Sequence, residues 1–505
     1  MQSKSTPPNA SAASTPTNGH APATNLIIPR SASVSRTLYI QKLNATTRIT
    51  PQARQYAIEE LARRAGVPES FYRSWKITTE QYRTTVQIVN GRSVQITFPH
   101  ASPDILRDLA QGKIHTSRAC WMREPSGTTI QLIPDFMVPF SGPDKGPLKP
   151  LFIAQSADHV ECTVDLPLTI LLTLSRWEET LEGQRDEHGR FPAGRSVSVR
   201  DGFLHRPIID EYGLAFLQAL AFVYPSWPEP QRCLRVKLSH DADQIGIPFG
   251  WKQVVRHTTH YRKPSESCRE LWQLFSGAPP AELRAICDIV SLGIERKLDS
   301  SVYWMGSSPN VWDSGYDPRL PLVRQVVRWL DDHEVENGVH PGYYTFGSPE
   351  RLRREISTLR EVLGDRPLGG RHHYLRWHPD MWIHWETTGL AYDSSVGYPE
   401  RVGFRAGTCV PYRPWLFPLN RAADLLEIPL LVMDGTLLVH MKLSDEESVR
   451  RVQDIVNRCR TIGGVFTMVW HNNYHFDPRY RSVYTKLLDL FDSGQRFDWQ
   501  REVSR

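Results

Sequence analysis

Two aspartates follow a short apolar strand in the second half of the chain. The predicted strand Leu234–Leu238 runs directly into Ser239-His240-Asp241-Ala-Asp243. Two buried carboxylates this close together raise one pKa, and a bound cation removes that cost by holding one of them and freeing the other as a base. An Asx-type turn leaving the strand explains the same residues without any chemistry. The pair therefore indicates a metal-binding aspartate beside a carboxylate base only if other ligands join it.

Histidines and tryptophans supply the next candidates. His340 lies in a tight Gly-Val-His-Pro-Gly turn, where a neutral imidazole suits a metal, although a lone histidine is more often a satisfied core or surface residue. Residues 372–385 then contain four histidines and three tryptophans. Imidazoles are metal ligands, and indole faces are flat platforms on which sugar rings stack. A packed aromatic helix would explain this composition equally well.

An arginine and a further histidine complete the set. Arg405, in a glycine-containing loop, could pair with a carboxylate and hold it ionised, although a surface ion pair is an equally good explanation. His471 follows the last apolar strand, Val465–Trp470, where an imidazole is well placed as a general acid. Together these residues comprise aspartate and histidine ligands, a carboxylate base, an arginine and a histidine acid. Metal-assisted hydrolysis requires that combination of groups.

The elements around these residues predict a parallel α/β sheet or barrel. Helices are predicted at Pro321–His333, from Pro349 to Gly364, and after the capping box that begins at Ser444. Strands alternate with them, ending with Val465–Trp470. In such folds the chemistry lies at the carboxyl ends of the strands, which is where the candidate residues occur.

The first half of the chain has a different pattern. Residues 1–34 are rich in Ser, Thr, Pro, Ala and Asn and are predicted to be a disordered tail. A helix is predicted from Thr50-Pro51 to Gly66, a hairpin at Asn90-Gly91, and a helix over 165–182. Prolines at 225, 228 and 230 suggest a boundary. The predicted domains are an α/β accessory domain over 35–228 and a catalytic domain over 229–505.

Composition excludes several classes of protein. With 40% hydrophobic and 23% charged residues the chain has ordinary soluble usage, and no apolar run is long enough to predict a membrane span. Seven scattered cysteines without a CxxC pair, and no apolar stretch behind the N-terminus, favour a cytoplasmic protein. The net charge is +5, and subtracting Lys4, Arg30 and Arg36 leaves 5 − 3 = +2 for the rest. That balance gives no support to nucleic-acid binding.

Residues of about 230 to 490 resemble the polysaccharide deacetylases of the NodB-homology type (carbohydrate esterase family 4). The segments LSRWEET, RDEHGRFPAGR and FLHRPIIDEY resemble the first domain of a bacterial subgroup in which a separate N-terminal domain precedes the catalytic one. The resemblance implies a distorted (β/α) barrel that holds a divalent metal, usually zinc, and removes acetyl groups from sugars.

The resemblance also implies roles for individual residues. Asp241 matches the family's catalytic base, and Asp243 matches the metal-binding aspartate. His340 matches the first histidine of the His-Ser/Thr-x-x-His motif. Arg405 matches the arginine that buttresses the base, and His471 matches the histidine acid.

Two departures from the family pattern concern the metal ligands. The usual Thr-Phe-Asp-Asp-Gly is replaced by Ser-His-Asp-Ala-Asp, which inserts an alanine between the carboxylates. The residue four positions after His340 is Tyr344, a poor zinc ligand. His373 is the candidate for the missing ligand because the subgroup has a similar run, and His372 and Tyr344 remain alternatives.

The sequence therefore predicts a metal-dependent enzyme that removes an acetyl group from an N-acetylated sugar or polysaccharide precursor, with Zn²⁺ as the expected metal. Trp377, Trp382 and Trp470 are the predicted sugar-facing walls. A non-catalytic carbohydrate-binding or scaffolding protein is the alternative, which Tyr344 in the ligand position favours. A third hypothesis is an amide hydrolase with a small non-sugar substrate. The sugar, the role of the N-terminal domain and the oligomeric state stay open.

Overall fold

A computed structural model of the chain describes residues 49–504, apart from 103–106, 110, 124–128, 131–135, 142–148, 182, 226 and 247–278. The predicted tail over residues 1–34 lies outside the described residues. The described residues fall in a single compact unit. The predicted division at residue 228 stays a prediction.

The first half of the described chain contains a mixed eight-stranded sheet. Its strands are β1 (Lys76–Thr79), β2 (Arg83–Asn90), β3 (Arg92–Pro99), β4 (Thr116–Arg123), β5 (Thr129–Ile130), β6 (Phe136–Pro139), β7 (Lys149–Ser156) and β8 (His159–Cys162). They are ordered β1-β2-β3-β8-β7-β4-β5, with β6 also paired to β4. The β3–β8 and β4–β7 pairs are parallel and the others antiparallel.

The helices whose bounds are described beside this sheet are α1 (Pro51–Arg64), α2 (Glu69–Tyr72), α3 (Leu166–Leu174), α4 (Val197–Arg200) and α5 (Ile208–Val223). The predicted α1 is confirmed, since the Thr50 side chain accepts a hydrogen bond from the Ala53 amide at its start. The predicted hairpin is also confirmed, with Asn90 opposite Arg92. The prediction of a helix through residue 182 is wrong, because Arg176 is left-handed (φ 53°) and ends α3.

The second half contains a parallel sheet, which is one of the two arrangements, sheet or barrel, that the alternation of strands and helices predicts. Its strands are β9 (Arg235–Ala242), β10 (Asp299–Trp304), β11 (Glu336–Val339), β12 (Gly369–Gly370) and β13 (Tyr392–Asp393), and β14 (Trp415–Leu416) and β15 (Arg421–Ala422) form a separate antiparallel pair. The last three strands are β16 (Leu426–Glu427), β17 (Val432–Met433) and β18 (Val465–Val469). The order is β16-β13-β12-β11-β10-β9-β18-β17, and every pair is parallel. The described strands thus form an open sheet with β16 and β17 at its ends.

In the described part of this half, seven helices connect and cover the strands: α6 (Ala281–Glu295), α7 (Pro321–Asp332), α8 (Pro349–Leu363), α9 (Asp380–Thr387), α10 (Asp445–Ile462), α11 (Pro478–Leu488) and α12 (Trp499–Val503). The predicted capping box of α10 is present, with Ser444 and Glu447 each bonded to the other's backbone amide. The central strands are buried because helices cover a parallel sheet, which explains their continuous apolar sequences. Within the described residues, no helix is both long enough and apolar enough to cross a membrane.

Candidate metal centre and catalytic site

The candidate residues lie at the carboxyl edge of the parallel sheet. Asp241 is near the end of β9, His340 directly follows β11, and Arg371 directly follows β12. Asp434 directly follows β17, and His471 comes two residues after β18. Because parallel strands end at one edge, residues far apart in the chain meet there.

Three of these side chains form a set of ligands. Asp243 Oδ1 lies 3.0 Å from His340 Nε2 and 3.7 Å from His373 Nε2. Asp243 Oδ1 and His340 Nε2 are buried and, within the described part of the chain, neither makes an aligned hydrogen bond. Ligand atoms about 2.1 Å from a shared tetrahedral ion are about 3.4 Å apart, close to these separations. The three residues therefore fit a divalent cation.

The pKa shifts of Asp243 and His340 show that their surroundings favour positive charge at the ligand set. Burial alone would raise the pKa of Asp243, but His373, His340 and His471 outweigh burial and hold that pKa well below its usual range. Burial lowers the pKa of His340, but Asp241 and Asp243 outweigh burial and raise it. Without a cation the carboxylates attract protons onto the imidazoles, so a metal ion and these protons compete for the same nitrogens.

Two hydrogen bonds orient the rings of His340 and His373 in the ligand set. His340 Nδ1 lies 2.7 Å from the Arg371 carbonyl oxygen, and His373 Nδ1 lies 2.7 Å from Asp313 Oδ1. A ligand histidine typically uses its second nitrogen in this way, which fixes the ring and its tautomer. In both rings Nε2 is therefore the nitrogen available to bind a metal.

The structure distinguishes the three alternatives for the last ligand. Tyr344 is 43% exposed and its ring lies 5.5 Å from the Arg351 guanidinium, away from the cluster. The His372 ring packs against Trp385, with centroids 5.7 Å apart. Of the three, only His373 brings a ligand atom into the group with Asp243.

A second carboxylate lies beside the ligand set. Asp241 Oδ1 accepts a hydrogen bond from Arg371 Nη1 at 2.9 Å, and Oδ2 lies 4.0 Å from His471 Nε2. Arg371 is held in turn by the Ser394 carbonyl oxygen and the Ser239 hydroxyl, at 2.9 and 3.0 Å. One carboxylate oxygen is thus fixed by arginine, and the other is left for a proton.

The predicted pairing of Arg405 with Asp241 is wrong. Arg405 is buried and donates to both carboxylate oxygens of Glu179, at 2.9 Å from Nε and 2.5 Å from Nη2. Burial would raise the pKa of Glu179, but Arg405 and Arg176 lower it to about 2. Arg405 therefore stabilises a buried carboxylate from the first half of the chain, and Arg371 takes the position beside Asp241.

His471 pairs with a carboxylate, Asp434, that had no role in the sequence analysis. Its Nδ1 lies 2.7 Å from Asp434 Oδ1, and its backbone amide donates to Asp434 Oδ2 at 2.7 Å. Burial lowers the pKa of His471, but Asp434, Asp243 and Asp241 outweigh burial and raise it to about 10. Nε2 lies 3.8 Å from Asp243 Oδ2, so a proton on Nε2 is close to the ligand set.

The prediction that Trp377, Trp382 and Trp470 form sugar-facing walls is wrong, because all three are fully buried. The indoles of Trp377 and Trp382 donate to the buried carboxylates Asp393 and Glu427, at 3.0 and 2.9 Å. Trp470 packs on Tyr484, with centroids 5.1 Å apart. They belong to the core beneath the site.

Other aromatic residues line the cavity. A cavity of about 350 Å³ opens over the ligand set. Its wall includes Asp241, Asp243, His340, His373 and His471, with Arg190, Trp312, Tyr374, Met433 and Tyr474 around them. Trp312, Tyr374 and Tyr474 are partly exposed and can contact a ligand in the cavity.

Four contributing residues had no assigned role in the sequence analysis: Arg190, Asp313, Arg371 and Asp434. Asp434 follows the apolar run 430–433, the strand-then-aspartate pattern that identified Asp241. Arg371 begins the histidine-rich run, but nothing in the sequence distinguishes it from Arg405. Asp313 and Arg190 have no local signal for their roles at the site. Asp313 contacts His373, and Arg190 contacts the Tyr374 carbonyl group, from distant parts of the chain.

Comparisons with known proteins give a limited result. Residues 43–225 match the model of a family described only as a family of unknown function, DUF7033. No curated protein matches the chain. Similar solved structures include a putative polysaccharide deacetylase from Mycobacterium smegmatis, with TM-score 0.38 and 15% identity over 55% of this chain and 91% of that chain.

Two further structures have similar values. A PuuE allantoinase has TM-score 0.35 and 14% identity over 52% of this chain and 86% of its own. A probable polysaccharide deacetylase from Pseudomonas aeruginosa PAO1 has TM-score 0.35 and 15% identity over 54% of this chain and 89% of its own. At these values the function has to be argued from the site itself.

Proposed function

We propose that this chain is a metal-dependent hydrolase that removes the acetyl group from an N-acetylated sugar. The observation that carries the proposal is the grouping of Asp243, His340 and His373 beside a carboxylate, Asp241, and an imidazole, His471, that are not needed as ligands. The sugar part of the proposal rests on the resemblance of residues 230–490 to NodB-type deacetylases.

In this proposal the chain's own residues carry the protons. Asp243, His340 and His373 would hold the divalent cation, for which we propose Zn²⁺, and the ion would supply Lewis-acid activation of water and of the amide carbonyl. Asp241 Oδ2 takes the proton of the attacking water, while Arg371 fixes Oδ1. The C–N bond breaks and His471 gives its Nε2 proton to the departing nitrogen, which leaves acetate and a free amine.

A non-catalytic binding protein is less well supported. That alternative rested on Tyr344 in a ligand position, but Tyr344 lies outside the cluster and His373 offers a nitrogen to it. Sugar binding alone requires neither a buried Asp241–Arg371 pair nor an Asp434–His471 pair.

Acetate release tests the proposal directly. The purified protein is stripped with a chelator, and Zn²⁺ is then returned. We expect the stripped protein to be inactive and the reloaded protein to release acetate and free amine in equal amounts from N-acetylated sugars. Zinc-loaded protein that binds these sugars without hydrolysing them would establish the binding-protein alternative. Hydrolysis confined to small non-sugar amides would refute the substrate class.

The pH dependence should report the Asp434–His471 pair. In Asp434→Asn the largest of the three carboxylate contributions that raise the pKa of His471 is removed, while Asp243 and Asp241 remain, so this pKa should fall toward the ordinary histidine value. Because His471 must be protonated to act as the acid, the alkaline limb of the kcat profile should move to lower pH. Asp445→Asn, which removes a surface partner of Arg479, is the matched control and should leave the limb in place. An unmoved limb in Asp434→Asn would contradict the role of His471.

A further inference from the structure

A tight turn from the first half of the chain forms part of the cavity wall. In this turn the Asp186 carboxylate accepts hydrogen bonds from the backbone amides of His188 and Arg190 and from Arg190 Nε, at 3.0, 2.8 and 2.7 Å. Gly189 has φ 76°, a conformation that glycine adopts without strain. The turn 186–190 is therefore held together by its own contacts, and His188 and Arg190 are nearly buried.

Two reciprocal hydrogen bonds join this turn to the segment that carries His373. Arg190 Nη1 donates to the Tyr374 carbonyl oxygen at 2.6 Å, and Arg376 Nε donates to the His188 carbonyl oxygen at 2.8 Å. The His188 ring also packs on the Tyr374 ring, with centroids 4.8 Å apart. Each turn thus supplies an arginine that holds the other turn's backbone.

The segment after His373 has a backbone that needs such support. Tyr374 and Leu375 have φ values of 61° and 49°, and left-handed conformations are strained for side chains of this size. Consecutive residues of this kind persist only where surrounding contacts hold them. His373 directly precedes them, so a change in their backbone would move the His373 ring away from Asp313 and Asp243.

We propose that Arg190 is a positioning residue of the metal centre, which acts through the Tyr374 carbonyl group to hold His373 in place. The inference rests on the proposed function in taking His373 as a ligand. It assigns a role to the segment 43–225, which matches only a family of unknown function. Within that segment, the turn 186–190 completes the site by holding the turn that carries the third ligand.

Metal affinity and the spectrum of bound Co²⁺ test this role. In Arg190→Ala we expect the Zn²⁺ affinity to fall by up to roughly 10–100-fold, the cost of losing a direct hydrogen-bond partner of a ligand, and the Co²⁺ absorption bands to change. Arg190→Lys should recover part of the affinity, because lysine can still donate to the Tyr374 carbonyl oxygen. Arg413→Ala is the matched control, since Arg413 donates to the Val503 carbonyl oxygen at 2.6 Å but does not line the cavity.

Hydrogen exchange separates this inference from the proposed function. In metal-free protein, the amides of residues 373–376 should exchange faster in Arg190→Ala than in wild type or Arg413→Ala. If wild type binds neither Zn²⁺ nor Co²⁺, the assignment of the metal site is wrong. Faster exchange in Arg190→Ala would still show that Arg190 holds the segment that contains Tyr374. Unchanged exchange in Arg190→Ala would show that Arg190 does not hold this segment. Wild-type Zn²⁺ affinity and Co²⁺ spectrum in Arg190→Ala would also overturn the inference.

Discussion

Replacing Asp241 with asparagine should lower the rate of deacetylation by roughly 10²–10⁴-fold, the usual contribution of a general base. The amide keeps the shape of the side chain but cannot take a proton from water. Because Asp241 is not one of the proposed ligands, Zn²⁺ content should stay at the wild-type level, and substrate binding should change little. The measurement is kcat for acetate release together with the metal content of the same sample. Wild-type kcat in Asp241→Asn would refute the mechanism.

Arg371 and Arg405, which are both buried, provide a test variant and its matched control. Arg371→Lys keeps the charge but loses the geometry of the guanidinium group, so Asp241 Oδ1 is no longer fixed and kcat should fall. Arg405→Lys disturbs an equally buried ion pair with Glu179 and should lower stability without a comparable loss of kcat per folded molecule. The reverse pattern would restore the sequence-based assignment of Arg405 as the partner of the base.

Replacing Asp243 or His373 with alanine should abolish metal retention, because each removes one of three protein ligands. The loss of Zn²⁺ affinity should exceed the loss of up to roughly 10–100-fold that we expect for Arg190→Ala. Activity should be lost with the metal and should return only at Zn²⁺ concentrations far above those that saturate wild type. Metal content after gel filtration and a chelator-competition titration are the measurements.

Tyr344→Phe and His372→Ala are the controls for this prediction. Tyr344 is exposed, and His372 packs against Trp385, so both variants should keep the metal. Stoichiometric zinc in His373→Ala would remove His373 from the ligand set. If His372→Ala lost the metal instead, the third ligand would be His372.

The sequence by itself predicted a parallel sheet or barrel in the second half of the chain, and polar side chains at the ends of two of its strands, which the structure shows as β9 and β18. Strands and helices have periodic patterns that depend on neighbours in the chain, and turn and capping signals such as Asn90-Gly91 and Ser444 are equally local. A parallel sheet brings its strand ends to one edge. The meeting of Asp241, Asp243 and His340 there follows from these local patterns and from the layout of the sheet.

Only the tertiary structure decided which distant groups pair. Arg371 and Arg405 are both buried arginines outside the helices and strands, and Asp241 and Glu179 are both buried carboxylates. The correct pairing depends on which surfaces pack together, and local sequence carries no information about that. The same holds for Asp313 beside His373, 60 residues apart in the chain, and for Arg190 beside Tyr374, 184 residues apart.

Local sequence also did not decide whether the tryptophans lie in the core or at the cavity. An indole is both a flat surface for a sugar and a large apolar group, so composition alone favours neither a binding wall nor a core position. In the structure, Trp377 and Trp382 are buried, and each indole N–H donates to a buried carboxylate. Those carboxylates, Asp393 and Glu427, come from β13 and β16. The packing of residues 377–382 against these strands therefore decided that the two indoles lie in the core, and left Trp312, Tyr374 and Tyr474 at the cavity.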